Sequence, residues 1–251
     1  MSYTIALAGK GGTGKTTMAG LLIRYMVEKG RKPVLAVDAD ANANLNEVMG
    51  VAAGQTIGDA REEMKKGGLP NMTKDIFMEM RIQESLVEAE GFDLIIMGRP
   101  EGQGCYCAAN TLLTQFIEKL SQNYPYLVVD NEAGMEHISR LTTREIDVLL
   151  IVSDSSRRGL QAAIRIGDLT KELGLKIEKR LVIINRGENE DLSELKTWET
   201  LLKEHDLSLL GVIPKDEMIY DFDKEGKPTS TLPENSMAKK AAYRLFDNLF
   251  E

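Results

Sequence analysis

Gly9-Lys10-Gly11-Gly12-Thr13-Gly14-Lys15-Thr16 follows an apolar run, Tyr3 to Ala8, and leads into an amphipathic segment, Thr16 to Glu28. This is GxxxxGK[ST] in the order strand, loop, helix. Gly11, Gly12 and Gly14 leave no side chains where backbone N–H groups must converge on an anion, and the helix that follows aims its positive end at the same point. Lys15 is expected to reach the β- and γ-phosphates of a nucleoside triphosphate and the Thr16 hydroxyl to ligate Mg²⁺, with Gly9, Thr13 and Thr17 completing the cradle. Lys10, a second lysine inside the loop, is not needed to hold phosphate.

Further short runs rich in Val, Ile and Leu punctuate the chain: Val34 to Asp38, Leu94 to Met97, Tyr126 to Asp130, Val148 to Val152, Leu181 to Ile184 and Leu209 to Ile213. They are nearly continuous rather than alternating, as strands covered on both faces are. Segments of helical period lie between strands, at Ala108 to Leu120, Gly159 to Leu173 and Ser193 to His205. The alternation predicts an α/β fold, a mostly parallel sheet of seven to eight strands flanked by helices, in one P-loop domain over residues 1–251. Ligands are then expected at the carboxyl ends of the strands. Gly50 to Pro70 reads as an elaboration on that sheet. Met237 to Phe250, with apolar Ala242, Leu245, Phe246 and Leu249, reads as a helix packed on it rather than a membrane-targeting one.

With 251 residues the chain is long enough to bury a substantial core, and its net charge of -8 argues against a surface that collects nucleic acid nonspecifically. The sequence begins without a signal-like segment and contains no apolar run near the length of a membrane span. A cytoplasmic protein is expected, without nucleic-acid or membrane partners.

Polar residues cluster where the strands end. Asp38 and Asp40 lie two apart at the end of the second run, so both carboxylates can look the same way. Asp130 ends another apolar strand, where a Mg²⁺ water shell needs an acid, and Gly134 four residues later permits a close approach to the γ-phosphate. These residues, with Lys10, resemble the deviant Walker A ATPases that include MinD, ParA, the arsenite-pump ATPase and the nitrogenase iron protein. The resemblance implies that Lys10 reaches across a dimer interface to the partner's nucleotide and that Asp40 orients or deprotonates the attacking water. It implies that Asp38 assists near the Mg²⁺ shell and that Asp130 is the Walker B acid. Ala41 stands where the family pattern DxDPxxN has proline. By the same resemblance Asn185 and Arg186, with Pro214, form the adenine pocket; the GTPase pattern NKxD is absent, which favours ATP.

The only two cysteines, Cys105 and Cys107, sit two apart in Arg99-Pro-Glu-Gly-Gln-Gly-Cys-Tyr-Cys-Ala-Ala-Asn, ahead of a helix whose N-terminus would favour thiolates. Two thiolates make a poor metal site alone, whereas two copies about a two-fold axis supply four. Thiolate chemistry is open to Ni(II), Zn(II) and Cu(I). The GxGCYCxxNxLL stretch, together with Asp130-Asn-Glu-Ala-Gly-Met-Glu-His-Ile-Ser-Arg140, resembles the CooC-type ATPases and the related AcsF. That resemblance implies a homodimer, a Ni²⁺ ion shared across it, and a client nickel enzyme, carbon monoxide dehydrogenase or acetyl-CoA synthase. His137 falls in the same stretch without an assigned role. Competing readings are an iron–sulfur reductase of the nitrogenase iron-protein type, a MinD- or ParA-type positioning switch, and a synthetase of the dethiobiotin type. The first is disfavoured because the loop after Asp130 carries no cysteine.

Overall fold

In the computed structural model, which describes residues 2–65, 67, 73–98, 119–132, 145–187 and 192–250, each apolar run above is a strand. They are β1 (Tyr3–Ala8), β2 (Val34–Asp38), β4 (Phe92–Ile96), β5 (Tyr126–Asp130), β6 (Glu145–Ser153), β7 (Lys176–Gly187) and β8 (Ser208–Pro214). The sequence reading missed β3 (Val87–Ala89), whose three residues are only half-buried or exposed and so carry no apolar signature. The eight strands form one sheet in the order β3-β4-β2-β5-β1-β6-β7-β8. All neighbours are parallel except β3, which runs antiparallel to β4 at the edge.

The described helices are α1 (Lys15–Glu28), α2 (Leu45–Met49), α3 (Ile57–Lys65), α4 (Lys74–Glu84), α5 (Arg157–Glu172), α6 (Leu192–Lys203), α7 (Glu217–Lys224) and α8 (Met237–Asp247), with a 3₁₀ turn at Thr229–Thr231. Within the Gly50-to-Pro70 elaboration, Thr56 and Asp59 cap α3 reciprocally: Thr56 N donates to Asp59 Oδ2 at 2.9 Å and Asp59 N to Thr56 Oγ1 at 3.1 Å. Nearly all of the expected helix at 108–120 lies outside the described residues.

Strand pleating sends alternate residues into different layers. Ile5, Leu7, Val148 and Leu150 enter the layer packed with α1 and α8, while Ala6, Ala8, Leu149 and Ile151 enter the layer beneath α5 and α6. On the same face as Ala6, a separate cluster under α3 and α4 takes Leu35, Val37, Leu127 and Val129. In the C-terminal helix, Ala242 and Phe246 are fully buried against the α1 layer, and Leu249 just beyond it is 1% exposed. Burying side chains of Leu or Phe size is worth roughly 1.5–3 kcal/mol each, so the apolar face of α8 is spent inside the fold. Among the described residues no helix is long and apolar enough to cross a membrane.

The sheet puts β1 at its centre, flanked by β5 and β6, so the loop leaving Ala8 emerges where the polar ends of β2, β5, β6 and β7 converge. That is the crevice where open α/β sheets bind ligands.

Candidate functional site

The loop between β1 and α1 needs glycine at defined points. Gly12 (φ 80°) and Gly14 (φ 91°) adopt left-handed backbone that other residues resist. At Gly9 the obstacle is space: a Cβ there would stand 2.2 Å from the Val152 carbonyl oxygen of β6. The loop is tied internally by Thr13, whose Oγ1 donates to Lys10 O at 2.8 Å. From β7, Asn185 Nδ2 donates to Thr13 O at 2.8 Å and Arg186 Nη1 to Gly12 O at 3.1 Å. Asn185 Oδ1 in turn accepts from the backbone N–H of Arg186 at 3.0 Å. The Asn185 amide, expected at the base, is thus also a buried brace of the phosphate loop.

Lys15 opens α1 and is 7% exposed, with Nζ donating to Lys10 O at 3.5 Å. Burial pushes its ammonium pKa down, opposed by the nearby carboxylates of Asp130 and Asp40. Lys10 is exposed.

Asp130 ends β5 directly beside Leu7 in β1, one residue before the loop's strand ends. It is 1% exposed and accepts a hydrogen bond from the Thr16 side chain. Burial pushes its carboxyl up to about 7; the neighbouring carboxylates Asp38 and Asp40 push the same way, while Thr16 and Lys15 oppose. Its Oδ1 is buried with no hydrogen-bond partner. A buried carboxylate oxygen without a donor, next to a threonine hydroxyl at the foot of a phosphate loop, fits the oxygen-rich surroundings of a hydrated Mg²⁺.

Asp38, fully buried, uses its carboxylate on its own chain. Oδ1 accepts from Asp40 N at 3.1 Å and Oδ2 from Leu45 N, the start of α2, at 2.9 Å. Burial raises its pKa to about 6 despite these donors. Asp40 is half-buried and its Oδ1 accepts from Asn42 N at 2.8 Å. The segment from Asp38 to Leu45 is therefore a loop folded around the Asp38 carboxylate, and α2 is held on either side. Val48 lies against Gly20 of α1, and Gly50 lies against Pro228, where a Cβ would come within 2.5 Å.

Two cavities open here. One, of about 960 Å³, is lined by Gly11, Gly12, Lys15, Thr16 and Asp40. The other, of about 570 Å³, is lined by Asn185, Arg186, Pro214 and Tyr220. Gly14, Thr17, Val48, Arg186, Asp223 and Thr229 line both. The structure thus brings together Gly11, Gly12, Gly14, Lys15, Thr16, Thr17, Asp40, Asn185, Arg186 and Pro214 around adjoining cavities, with Asp38 and Asp130 buried beneath them, while Lys10 is exposed and lines neither. Gly134, Cys105, Cys107 and His137 lie outside the described residues. Among the described residues no group of three or more His, Cys, Asp or Glu is placed to hold a metal ion.

The sequence reading did not find Asp223, Thr229 or the capping residue Asp216. Asp216 follows Pro214 and caps α7 through Met218 N at 3.0 Å, while its Oδ2 accepts from Ser236 Oγ at 2.7 Å and Ala238 N at 3.0 Å, tying α7 to α8. An Asp two residues past a strand was the available signal for that cap.

The profile of the family described as CobQ/CobB/MinD/ParA nucleotide binding domain matches residues 4–229. An uncharacterized ATP-binding protein of Methanocaldococcus jannaschii is 41% identical over 250 residues, covering 98% of this chain and 97% of that protein. The carbon monoxide dehydrogenase accessory protein CooC of Rhodospirillum rubrum is 31% identical over 238 residues, covering 88% and 87%. Among solved structures, the septum site-determining protein MinD complexed with Mg-ADP from Pyrococcus horikoshii superposes with a TM-score of 0.71 at 23% identity, covering 99% of this chain and 96% of that one.

Proposed function

Since the chain belongs to the CobQ/CobB/MinD/ParA nucleotide-binding family, we propose that it is a Mg²⁺-dependent ATPase that works as a homodimeric metallochaperone for a nickel enzyme. The observation that carries the ATPase reading is the half-buried Thr16 beside the buried Asp130, with Asp130 Oδ1 left without a donor behind a braced phosphate loop. Thr16 and Asp130 are the residues that would hold Mg²⁺, which would supply charge neutralisation to the phosphates.

The chain's own groups divide the remaining work. Backbone N–H groups of Gly11 to Lys15 and the α1 N-terminus bind the phosphates. Lys15 offsets charge that gathers on the γ-phosphoryl oxygens. Asp40 stands on the loop over this site and orients the attacking water, accepting its proton as the water oxygen bonds to the γ-phosphorus and the bond to the β–γ bridging oxygen breaks, leaving ADP and phosphate. Asp38 fixes where Asp40 stands, because the Asp38 carboxylate receives the Asp40 backbone N–H. Lys10, exposed beside the loop, is the group available to a second copy's nucleotide, so hydrolysis depends on pairing.

The nickel assignment has different support: the sole cysteines, Cys105 and Cys107, at CxC spacing, and a relative named as a carbon monoxide dehydrogenase accessory protein. Two copies give four thiolates, a donor set suited to Ni(II) or Zn(II) cargo. The client is then carbon monoxide dehydrogenase or acetyl-CoA synthase. A MinD-type positioning switch is the second reading, favoured by the fold shared with MinD but not by the cysteine pair.

Anaerobic titration with Ni(II), with and without ATP, read by metal content and by mass, tests the proposal. One nickel per two chains, lost in Cys105→Ser/Cys107→Ser, is the expected result. ATPase activity stimulated by liposomes, with no nickel retained, overturns it in favour of the switch.

A further inference from the structure

The two cavities around the phosphate loop meet at a junction where motif residues Gly14, Thr17 and Arg186 are joined by Val48, Asp223 and Thr229, to which no motif assigns a role. A nucleotide with its phosphates on Gly11 to Thr16 and its base by Asn185 and Pro214 must cross this junction with its sugar. Six residues line both cavities, and only Asp223 among them carries a carboxylate. Asp223 sits in the last turn of α7, a helix none of whose residues is buried, with its side chain exposed toward the recess.

Thr229 is the second feature of the junction. It is 5% exposed, and its Oγ1 is buried without a hydrogen-bond partner. Leaving a hydroxyl unsatisfied in the interior costs about 1–3 kcal/mol, and native folds seldom do so without a reason. The 3₁₀ turn that carries Thr229 is closed by Thr231 N donating to Pro228 O at 3.0 Å and held from outside where Pro228 packs on Gly50. A threonine at a cavity wall exchanges methyl for hydroxyl by one staggered rotation about χ1.

We propose that Asp223 and Thr229 form the ribose subsite of the nucleotide pocket, the Asp223 carboxylate accepting from a sugar hydroxyl and the Thr229 hydroxyl taking its missing partner from the same sugar. This rests on the nucleotide reading above and adds to it a selection for ribonucleotides over deoxyribonucleotides. A carboxylate suits a vicinal diol because it accepts only, while both sugar hydroxyls can donate. A site built to bond a hydroxyl disfavours the analogue that lacks it. α7 is anchored at its N-terminus by Asp216 and rests Met218, Ile219 and Phe222 on the core, which leaves the exposed Asp223 at the wall of the junction.

The test is calorimetric affinity, in Mg²⁺, of the full chain for ATP, 2′-deoxy-ATP, 3′-deoxy-ATP and tripolyphosphate, in wild type, Asp223→Ala and Thr229→Val. The wild type should prefer ATP over at least one deoxy analogue by roughly tenfold, the weight of one hydrogen bond to a charged group that remains partly in water. Asp223→Ala should erase that preference by weakening ATP alone, with tripolyphosphate affinity kept. Asp223 is exposed, so its variant folds whether or not Thr229→Val does. Equal wild-type affinity for ATP and both deoxy analogues overturns the subsite, as does an Asp223→Ala variant that retains the full preference. Wild-type protein that binds neither ATP nor tripolyphosphate overturns the nucleotide reading itself, a result distinct from either of these.

Discussion

Asp38 stands directly opposite Asp130 in the register of β2 and β5, so two carboxylates with exposures of 0% and 1% sit on adjacent strands beneath the phosphate loop. Burial raises both pKa values, to about 6 and about 7. An acid whose folded pKa lies above its unfolded value binds more protons folded than unfolded, and the stability this confers is full below the unfolded pKa near 3.8 and lost as pH rises through the folded value. Without nucleotide, these two groups therefore favour the fold at pH 5 over pH 8, by an amount on the order of a few kcal/mol.

Asp130→Asn removes one of the two buried charges while nearly keeping the shape. The nucleotide-free variant should melt several degrees higher than wild type at pH 8, and most of that gain should vanish at pH 5. The same variant should bind MgATP at least tenfold more weakly, because Thr16 loses its carboxylate partner. Thermal melts at the two pH values with a nucleotide titration check both parts. A lower melting temperature at pH 8 would count against the idea that this site stores electrostatic strain.

Asp40 and Asp38 should separate in kinetics. Asp40→Asn should bind ATP within a fewfold of wild type and lose at least a hundredfold in turnover, the weight of a general base. Asp38→Ala deletes the acceptor for the N–H groups of Asp40 and Leu45, and stranding buried donors costs about 1–3 kcal/mol. It should lower both stability and turnover. Single-turnover hydrolysis beside chemical denaturation distinguishes the two patterns.

Asn185 gives a sharper contrast. Were it only a base contact, Asn185→Ala would weaken ADP and spare tripolyphosphate. Because Asn185 Nδ2 donates to Thr13 O and the amide packs on Gly14, the variant should weaken tripolyphosphate as well, by roughly tenfold. Competition between tripolyphosphate and a fluorescent nucleotide reads this directly.

What the sequence made legible follows from these particulars. The strands that build the crevice are apolar on both faces, so β1, β2 and β4 to β8 announce themselves, whereas β3 is three residues at an antiparallel edge with little to bury. Gly14 and Lys15 belong to a contiguous motif whose spacing is set by the phosphate. Thr229 and Asp223 belong to none: their meaning comes from Pro228 meeting Gly50, a contact between segments far apart in the chain. The sequence leads one to expect Asn185 at the base, whereas its hold on Thr13 depends on β7 lying two strands from β1.

Lys10 lies exposed beside Gly11 and Gly12, both also exposed, so this rim of the recess is accessible to a second copy. Its ammonium is one residue beyond the strand-proximal Gly9, and nothing in the phosphate cradle on the same chain requires it. If it neutralises the partner's phosphates, ATP should draw two chains together and Lys10→Ala should undo that while leaving ATP binding to the single chain within a fewfold. Light scattering with a non-hydrolysable ATP analogue should show wild type shifting toward twice its mass and Lys10→Ala remaining at the monomer mass. Adding Ni(II) should restore dimers of Lys10→Ala if the thiolates of Cys105 and Cys107 bridge independently, because four metal–sulfur bonds need no lysine. ATP-driven dimers that persist unchanged in Lys10→Ala would detach this lysine from assembly and leave it a solvated charge on the loop.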